Sequence, residues 1–543
     1  MSIDGFLQFL GLVVAVYALL NVVIRYRLRL LGWRLWLPTL VAISSSIYLL
    51  LFDVIGLSCS VYWCAPFVVV KESPVTPNIL AFLIVLTWLV YVVLLSQRTS
   101  ISARNLPLLA ALVDRLVSEK RFPEVVDVVE PHASMIAKVA GRELYFRQFR
   151  DRIRMHGNPF LRLNLPFVES EDDDNQNFWI GTRDKLLAYC MNIAKYIESK
   201  IPETSNKEYS AQRILRVFHA HEPIVEYISL ERPLFALNLM NTKSYDFEFS
   251  DRVFEHMMAH QQSPLRRETI LNQNVEQCFN EIDPKNAFIS ALFSDTKVAE
   301  KLEVYRPVGN YPLGLLDRNE GNYRQTISSA KPSDDRFIER DPTYCMIRFF
   351  DIMIRSAMRD GIEWHMWLLY YDTVVRKLIA SIDFDHPDFD RNAEFPNFAF
   401  YLIYEIFSAY GSWFQAIKCC PADSPVVQIE KTAPVHANGS ILKTTMLSVG
   451  NSLAYLLKSE ETPDEFITYI LEMIMRDYRD LAVRKNGGPK AQLALSNAIL
   501  SGGIGGRLQD IHLARLDDCY REMDHVIQYE TQDFKVALQA SMK

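Results

Sequence analysis

The feature that most constrains this chain is a set of three long apolar runs near its N-terminus. They cover about residues 5–24, 35–57 and 78–95, and the only charge within them is the carboxylate of Asp53. An apolar helix of about 20 residues crosses the hydrocarbon core of a bilayer, which is about 30 Å thick. We therefore expect a three-span transmembrane domain over residues 1–97.

The placement of arginine predicts the orientation of these spans. Four arginines lie between the first two runs, and Arg98 and Arg104 follow the third, whereas residues 58–77 contain only one basic residue, Lys71. Positively charged loops stay in the cytoplasm, so we expect a multi-pass protein of the inner (plasma) membrane with its N-terminus outside and its C-terminal domain cytoplasmic. Tryptophans near the span ends are typical of interfacial anchors: Trp33, Trp36, Trp63 and Trp88.

The second run carries a polar stripe. Thr39, Ser46 and Asp53 are seven residues apart, which places them on nearly the same face of a helix. A carboxylate within the membrane boundary normally faces water or a partner, so these residues are candidates for the lining of a pore in an oligomer. The alternative is helix packing by small and hydroxyl side chains, with Asp53 reaching the outer interface.

Cysteine placement predicts one disulfide. Cys59 and Cys64 fall in the predicted outer loop, where an oxidising compartment favours a bond between them over two reduced thiols. The other cysteines fall in the predicted cytosolic region, where we expect reduced, mostly buried thiols. They are Cys190, Cys278, Cys345, Cys419, Cys420 and Cys519.

The remainder of the chain predicts a mostly α fold, in the form of a large and mainly helical cytosolic region. An acidic stretch at 169–174 and a segment rich in Pro, Gly and Asn at 304–343 mark the boundaries. We expect a membrane-proximal helical hairpin and basic helix (98–168), a helical domain (169–303), an irregular linker or insertion (304–343) and a C-terminal helical domain (344–543).

Three local patterns in this region carry further expectations. Residues 397–417 are long and apolar enough to span a membrane, but their many aromatic and polar residues favour a buried helix over a fourth span. Residues 426–429 favour a short strand. The glycine cluster at 502–506 lacks the lysine of a phosphate-binding loop and favours a joint between helices.

An arginine row provides a candidate anion site. Arg147, Arg150 and Arg154 are three and four residues apart, so they share one helical face. Guanidinium groups bind phosphate in a forked geometry, which predicts a nucleotide, an oligonucleotide or an anionic lipid headgroup as the ligand. The alternative is a solvated face paired with nearby acids such as Asp151. The net charge of −7 gives no case for general nucleic-acid binding.

No motif in the sequence predicts catalysis. His256 and His260 have helical spacing, but the order of residues differs from that of zinc proteases and no third ligand is evident. No nucleophile elbow, kinase signature or dinucleotide fingerprint is present in the sequence. We therefore predict no enzymatic activity, no cofactor and no metal.

These patterns lead to three hypotheses for function. The first is an oligomeric membrane channel or pore-forming effector, gated by its cytosolic domain through ligand or protein binding. The second is a membrane-tethered scaffold or receptor without a pore, and the third is an enzyme with a site that is not sequential. The expected partners are the lipid bilayer, further copies of the chain, an anionic ligand and a regulatory protein. Sensors, channels and bacterial defence effectors share this architecture, which is analogy alone.

Overall fold

The computed structural model of the chain is mostly helical, as the sequence predicts, and shows no β-strand in the residues that it describes. The chain divides into two compact units, residues 1–224 with 242–245 and residues 225–241 with 246–543, and each is described by itself. The described residues are 33–55, 77–96, 103–141, 206–242, 247–272, 282–362, 368–429, 440–482, 488–504 and 508–543, with Gly11 and Phe279.

Two long helices of the first unit coincide with predicted spans. Helix α1 is Trp33–Ile55 and helix α2 is Pro77–Ser96. The first predicted span, residues 5–24, lies outside the described residues apart from Gly11. Over the part of the chain that is described, no helix combines the length and the apolar character needed to cross a membrane. The helical state of both segments is confirmed, and membrane insertion stays a prediction.

The described part of the first unit also contains shorter helices, among them α3 (Leu106–Ser118), α4 (Phe122–Val129) and α5 (Asn206–Ala220). Helices α3 and α4 form the predicted helical hairpin, and each has a proline in its first turn, where the missing N–H is tolerated. The apolar face of α3 packs on α5, and Arg213 pairs with Asp114 at 2.8 Å.

From residue 222 onward the described residues form a further series of helices. They are α6 (Glu222–Glu231), α7 (Pro233–Met240), α8 (Phe247–Ala259), α9 (Pro264–Leu271), α10 (Ala287–Phe293), α11 (Thr296–Lys301), α12 (Tyr305–Arg318), α13 (Tyr323–Ser328), α14 (Asp335–Glu339), α15 (Pro342–Arg359), α16 (Leu368–Ser381), α17 (Phe398–Lys418), α18 (Ile441–Lys458), α19 (Asp464–Ala482), α20 (Gly488–Ser501), α21 (Asp510–Glu522), α22 (His525–Glu530) and α23 (Gln532–Ser541).

Capping side chains determine where several of these helices begin. Asp341 accepts a hydrogen bond from the backbone N–H of Tyr344 at 2.9 Å, and Pro342 follows it as the first residue of α15. Asn397 caps α17 in the same way. A side-chain oxygen at this position satisfies one of the N–H groups that a helix leaves unpaired at its start.

The core of the second unit is built on α15, α17 and α18, which are buried along most of their length. Helix α17 is the segment predicted as a buried helix, and that interpretation is confirmed. Its aromatic side chains, such as Trp413 and Tyr410, are among the largest fully buried residues. Close packing also requires a glycine, because a Cβ at Gly450 of α18 would lie 2.2 Å from the carbonyl oxygen of Ala498 in α20.

Two local predictions were wrong. The segment 304–343, expected to be irregular, contains helices α12, α13 and α14. The run expected to form a strand at 426–429 contains a turn of 3-10 helix, Pro425–Val427. The glycine cluster does begin as a joint, since Gly502 and Gly503 have positive φ values of 69° and 76° directly after α20.

Candidate functional site

The contact between α1 and α2 contains two of the three residues predicted to line a pore. The helices run antiparallel, because Thr39 early in α1 contacts Trp88 late in α2, while Leu49 packs beside Ala81. Small side chains at such a contact allow two backbones to approach closely. We call this contact the seam, and its buried side chains are Ala42, Ser46, Leu49 and Ala81.

One side-chain hydrogen bond links the two helices across the seam. The indole Nε1 of Trp88 donates to Thr39 Oγ1 at 3.0 Å, and the Thr39 hydroxyl donates to the carbonyl oxygen of Leu35 at 2.6 Å. The hydroxyl therefore acts as acceptor and donor at once. Because both bonds have fixed directions, they favour one register of α1 against α2.

Ser46 adds a polar atom to the seam that is not satisfied. Its side chain is 0% exposed, and its hydroxyl has no hydrogen-bond partner among the described residues. A helical serine or threonine commonly donates to the carbonyl four residues earlier, as Thr87 does to Leu83 at 2.7 Å. The burial of an unpaired hydroxyl costs free energy, so Ser46 weakens the seam relative to alanine.

Thr39 and Ser46 therefore face α2 of the same chain. This placement agrees with helix packing, the alternative interpretation of the polar stripe, and the lining of a pore stays a prediction. Asp53 lies in the last turn of α1, and its side chain falls outside the described part.

The outer surfaces of the pair are apolar on both helices. Among the described residues, fourteen of the twenty-five exposed large hydrophobic side chains belong to α1 and α2, which make up only 43 residues. We call them the apolar flanks: Trp36, Leu37, Leu40, Val41, Ile43, Ile47, Ile79, Phe82, Leu83, Leu86, Leu89, Val90, Tyr91 and Leu94.

Helix α2 contributes to the seam in a way that was not predicted from the sequence. Trp88 was expected as an interfacial anchor, but its indole donates to Thr39. The signal was present in the spacing, because Ala81 and Trp88 are seven residues apart, as are Thr39 and Ser46. Two matching seven-residue steps on antiparallel helices are typical of a packed pair.

The other predicted site residues lie outside the described part. They are Arg147, Arg150 and Arg154 of the arginine row and the cysteines Cys59 and Cys64. The anion site and the disulfide between those cysteines stay predictions.

The described cysteines correct one expectation about redox state. Cys345 and Cys519 are free and buried, and Cys420 is also buried. Cys419 is disulfide-bonded, although all the cysteines of this region were expected to be reduced. Disulfides in the cytosol are rare and often serve redox sensing, so this bond bears directly on the predicted topology.

Neither metal ligands nor a known relative points to a chemistry for this site. Among the described residues, no group of three His, Cys, Asp or Glu side chains is placed to hold a metal ion. His260, one of the paired histidines, has its Nε2 3.6 Å from Glu226 Oε1 at the surface. No protein-family model, curated protein or solved structure matches the chain.

The core of the second unit holds a buried ion pair. Arg355 donates from Nε and Nη2 to the two oxygens of Asp351, both at 2.9 Å, and Trp413 Nε1 donates to Asp351 Oδ1 at 2.9 Å. Both charged side chains are only 6% exposed. A forked pair with a third donor satisfies the buried charge, and the helical spacing of the two residues identifies it as structural.

A second polar link joins α16, α18 and the glycine joint. Asn451 donates from Nδ2 to Asp372 Oδ2 at 2.7 Å, and its Oδ1 accepts from the backbone N–H of Ile504 at 2.9 Å. Burial raises the pKa of Asp372 to about 6, and the bond from Asn451 partly opposes that rise. This carboxyl therefore titrates well above the ordinary range of an aspartate.

Proposed function

We propose that the protein is a membrane-tethered helical receptor or scaffold of the inner (plasma) membrane. In this proposal α1 and α2 lie in lipid, and the helices that follow form a cytoplasmic binding region. The main support for this proposal is that α1 and α2 expose their apolar flanks although the two helices already pack against each other in the seam.

Lipid is the solvent that these flanks favour. A surface helix of a soluble protein has one apolar stripe and one polar face, whereas a helix that is apolar on all sides is either buried or in a membrane. Helix α2 has no charged residue from end to end, and its seam side and its outer side are both apolar. Soluble monomers rarely expose contiguous apolar areas of more than a few hundred Å².

Membrane insertion is the first prediction to test, because no described helix combines the length and the apolar character needed to cross a membrane. The full chain should remain in the membrane pellet after extraction at alkaline pH. Reporter fusions at Arg104 and at the C-terminus should report cytoplasm, and one at Ser73 should report the outside. Release of the protein into the alkaline supernatant would refute the proposal.

A matched pair of variants tests the apolar flanks. Leu40→Gln with Leu86→Gln places polar groups on the flanks and should reduce the membrane-bound fraction. Ile511→Gln with Val526→Gln changes side chains that are 70% and 62% exposed in the helices at the C-terminus. The second pair should leave the membrane-bound fraction unchanged, so equal effects of the two pairs contradict a lipid contact specific to the flanks.

The chemistry of the arginine row supports a proposal for the class of ligand that the receptor binds. A phosphate-bearing ligand such as a nucleotide or oligonucleotide is the chemistry that Arg147, Arg150 and Arg154 favour. Replacing all three with Gln should weaken binding of a labelled oligonucleotide by at least tenfold and leave the helical content unchanged. Unchanged binding assigns the row to a solvated face, and a regulatory protein then becomes the proposed partner.

An oligomeric channel is the second candidate function. The buried hydroxyl of Ser46 without a described partner favours it, since a rearrangement that opened the seam to water would satisfy this atom. Asp53 continues the same seven-residue series and would then concentrate cations near the outer mouth.

Ion flux separates the two candidates. A channel predicts flux from liposomes that contain the purified oligomer, and Asp53→Asn should lower its cation preference without changing assembly. Cysteines at positions 39 and 46 should then react with aqueous reagents in the active state. Absence of flux together with protection at both positions supports the tethered receptor.

A further inference from the structure

A half-buried cluster of aromatic rings lies on the second unit, where the loop before α17 meets α17 and α19. We define the aromatic cluster as Phe395, Tyr401, Tyr404 and Tyr469. Ring centroids are 5.3 Å apart for Phe395 and Tyr401 and 5.1 Å for Phe395 and Tyr404. Tyr404 stacks on Tyr469 at 5.8 Å with 19° between the planes. All four rings are partly exposed, so the cluster is accessible to a ligand.

The cluster already holds a cation from its own chain. The ammonium nitrogen of Lys331 lies 4.3 Å from the ring centroid of Tyr401 and 5.3 Å from that of Phe395. Both distances fall within the range in which a ring face attracts a positive charge. Lys331 is exposed, so its ammonium exchanges a strong hydration shell for these rings at little net gain.

The ring of Tyr401 is held in place by contacts at its hydroxyl end. The hydroxyl of Tyr401 is hydrogen-bonded to Glu405, and burial together with this carboxylate raises the pKa of Tyr401, so the phenol stays protonated. Glu405 Oε2 accepts from Arg348 Nη2 at 2.8 Å, and Arg348 Nε donates to the hydroxyl of Tyr344 at 3.1 Å. This chain of bonds fixes the ring face that Lys331 occupies before any ligand arrives.

The charged residues around the rings leave room for the binding of a further cation. Burial raises the pKa of Tyr469, and the nearby Tyr404 and the exposed carboxylate of Glu394 raise it further. Two arginines lie near, but each is paired: Arg348 with Glu405 at 2.8 Å and Arg476 with Glu472 at 3.4 Å. Lys331 is therefore the positive group that an incoming cation has to displace.

We propose that the aromatic cluster is a binding site for a quaternary ammonium group, with Lys331 as the built-in occupant that such a ligand displaces. A methylated ammonium is more weakly hydrated than a primary ammonium, so it gains more from the same ring faces. The group has two possible sources, a free cation of the choline type or the headgroup of a phosphocholine lipid. This proposal depends neither on the arginine row nor on the membrane proposal.

The test is equilibrium binding of labelled tetramethylammonium to the full chain in a detergent that has no choline headgroup. Lys331→Met removes the competitor and keeps the length of the side chain, so it should raise affinity at least threefold. Tyr401→Leu should abolish binding, whereas Tyr401→Phe keeps the ring and should retain it. Thermal unfolding of each variant verifies that the fold is intact.

A second lysine serves as the matched control. Lys535 Nζ lies 6.0 Å from the ring of Tyr520, outside the cluster, so Lys535→Met removes the same charge and should not alter binding. Phosphocholine in place of tetramethylammonium, and then vesicles of phosphatidylcholine, identify the source of the group. No binding to either the natural chain or Lys331→Met would overturn the proposal, and so would equal gains in affinity from the two lysine variants.

Discussion

The α1–α2 pair and the core of the second unit use helices of similar length in opposite ways. Helix α15 buries almost every side chain from Thr343 to Met358, including the charged pair Asp351 and Arg355. Helix α2 buries Ala81 and leaves most of its large apolar side chains exposed. The two regions therefore differ in burial: α15 is enclosed by other helices, and α2 presents apolar side chains on its outer surface.

The two regions also differ in how they treat polar groups. The charges of Asp351 and Arg355 are hydrogen-bonded to each other in the core, whereas the seam contains the bond from Trp88 to Thr39 and a Ser46 hydroxyl with no partner among the described residues. Substitutions in the core should therefore change the stability of the fold strongly. Substitutions in the seam should have small effects on stability and should act on the association of α1 with α2.

The largest effect is expected from Arg355→Met. This change leaves Asp351 charged and buried with Trp413 as its remaining side-chain donor, and removal of one partner of a buried pair costs about 3–5 kcal/mol. Urea unfolding of the full chain, followed by circular dichroism, measures the loss. The double variant Asp351→Asn with Arg355→Met should recover part of it, because the amide still accepts from Trp413. A loss below about 1 kcal/mol for the single variant would contradict a tightly packed ionic core.

The next effect is a dependence of stability on pH, to which the buried carboxyl of Asp372 contributes. Burial raises the pKa of Asp372 from 3.8 to about 6, so the folded state binds a proton more tightly than the unfolded state. The free energy of unfolding should therefore fall as pH rises from about 4 to about 6, by about 3 kcal/mol at most.

Asp372→Asn isolates this contribution from other carboxyl groups. The amide cannot titrate, yet its oxygen still accepts from Asn451, so the difference in unfolding free energy between the variant and the natural chain should grow across that range and stay constant above it. A difference that does not vary with pH would remove Asp372 as its cause.

A pair of glycines compares tight and open positions within helices. A Cβ at Gly450 meets the backbone of Ala498 at 2.2 Å, whereas a Cβ at Gly314 meets only the mobile end of Arg318 at 2.9 Å. Gly450→Ala should lower the unfolding free energy by about 1–3 kcal/mol through overpacking. Gly314→Ala should raise it by about 0.5–1 kcal/mol, since alanine is the better helix former. Thermal unfolding of both variants measures the contrast, and effects of the same sign would contradict it.

Local patterns predicted much of the fold. Pro107 and Pro123 lie in the first turns of α3 and α4, where proline is typical. The aromatic residues of 397–417 indicated a buried helix. The prediction failed at 304–343 because proline and glycine were interpreted as breakers. Pro312 lies inside α12, and Gly309 is needed there because the ring of Tyr370 lies 2.3 Å from where its Cβ would be. Tertiary packing overrides propensity at such positions.

The sites were harder to predict than the helices for the same reason. The polar stripe on α1 was evident, but its partner Trp88 is 49 residues away in sequence. The contact of Lys331 with Tyr401 joins a loop to a helix that a single sequence gives no means of pairing. Periodicity predicts which face of a helix is polar, and the element that covers this face depends on contacts across the whole chain.

The smallest expected effect is in the seam. Trp88→Phe removes the indole donor, and Thr39→Val removes its acceptor while keeping the shape of the side chain. A hydrogen bond between helices in a membrane contributes about 0.6 kcal/mol, and one between partly buried groups in water about 1 kcal/mol. A double-mutant cycle should give a coupling of that size between the two positions. The readout is the association of α1 with α2, followed by a fluorescent pair at the exposed positions 43 and 83.

Whether this coupling persists on activation separates the two interpretations of the seam. If Thr39 and Trp88 form the bond in the working protein, each single variant weakens the association and the double variant costs less than the sum. If the stripe lines a water-filled path in an activated oligomer, Thr39 leaves Trp88 on activation, so the coupling should vanish in the activated state and persist in the resting state. A coupling that is the same in both states ties Thr39 to α2 throughout and removes Thr39 from the lining of a pore.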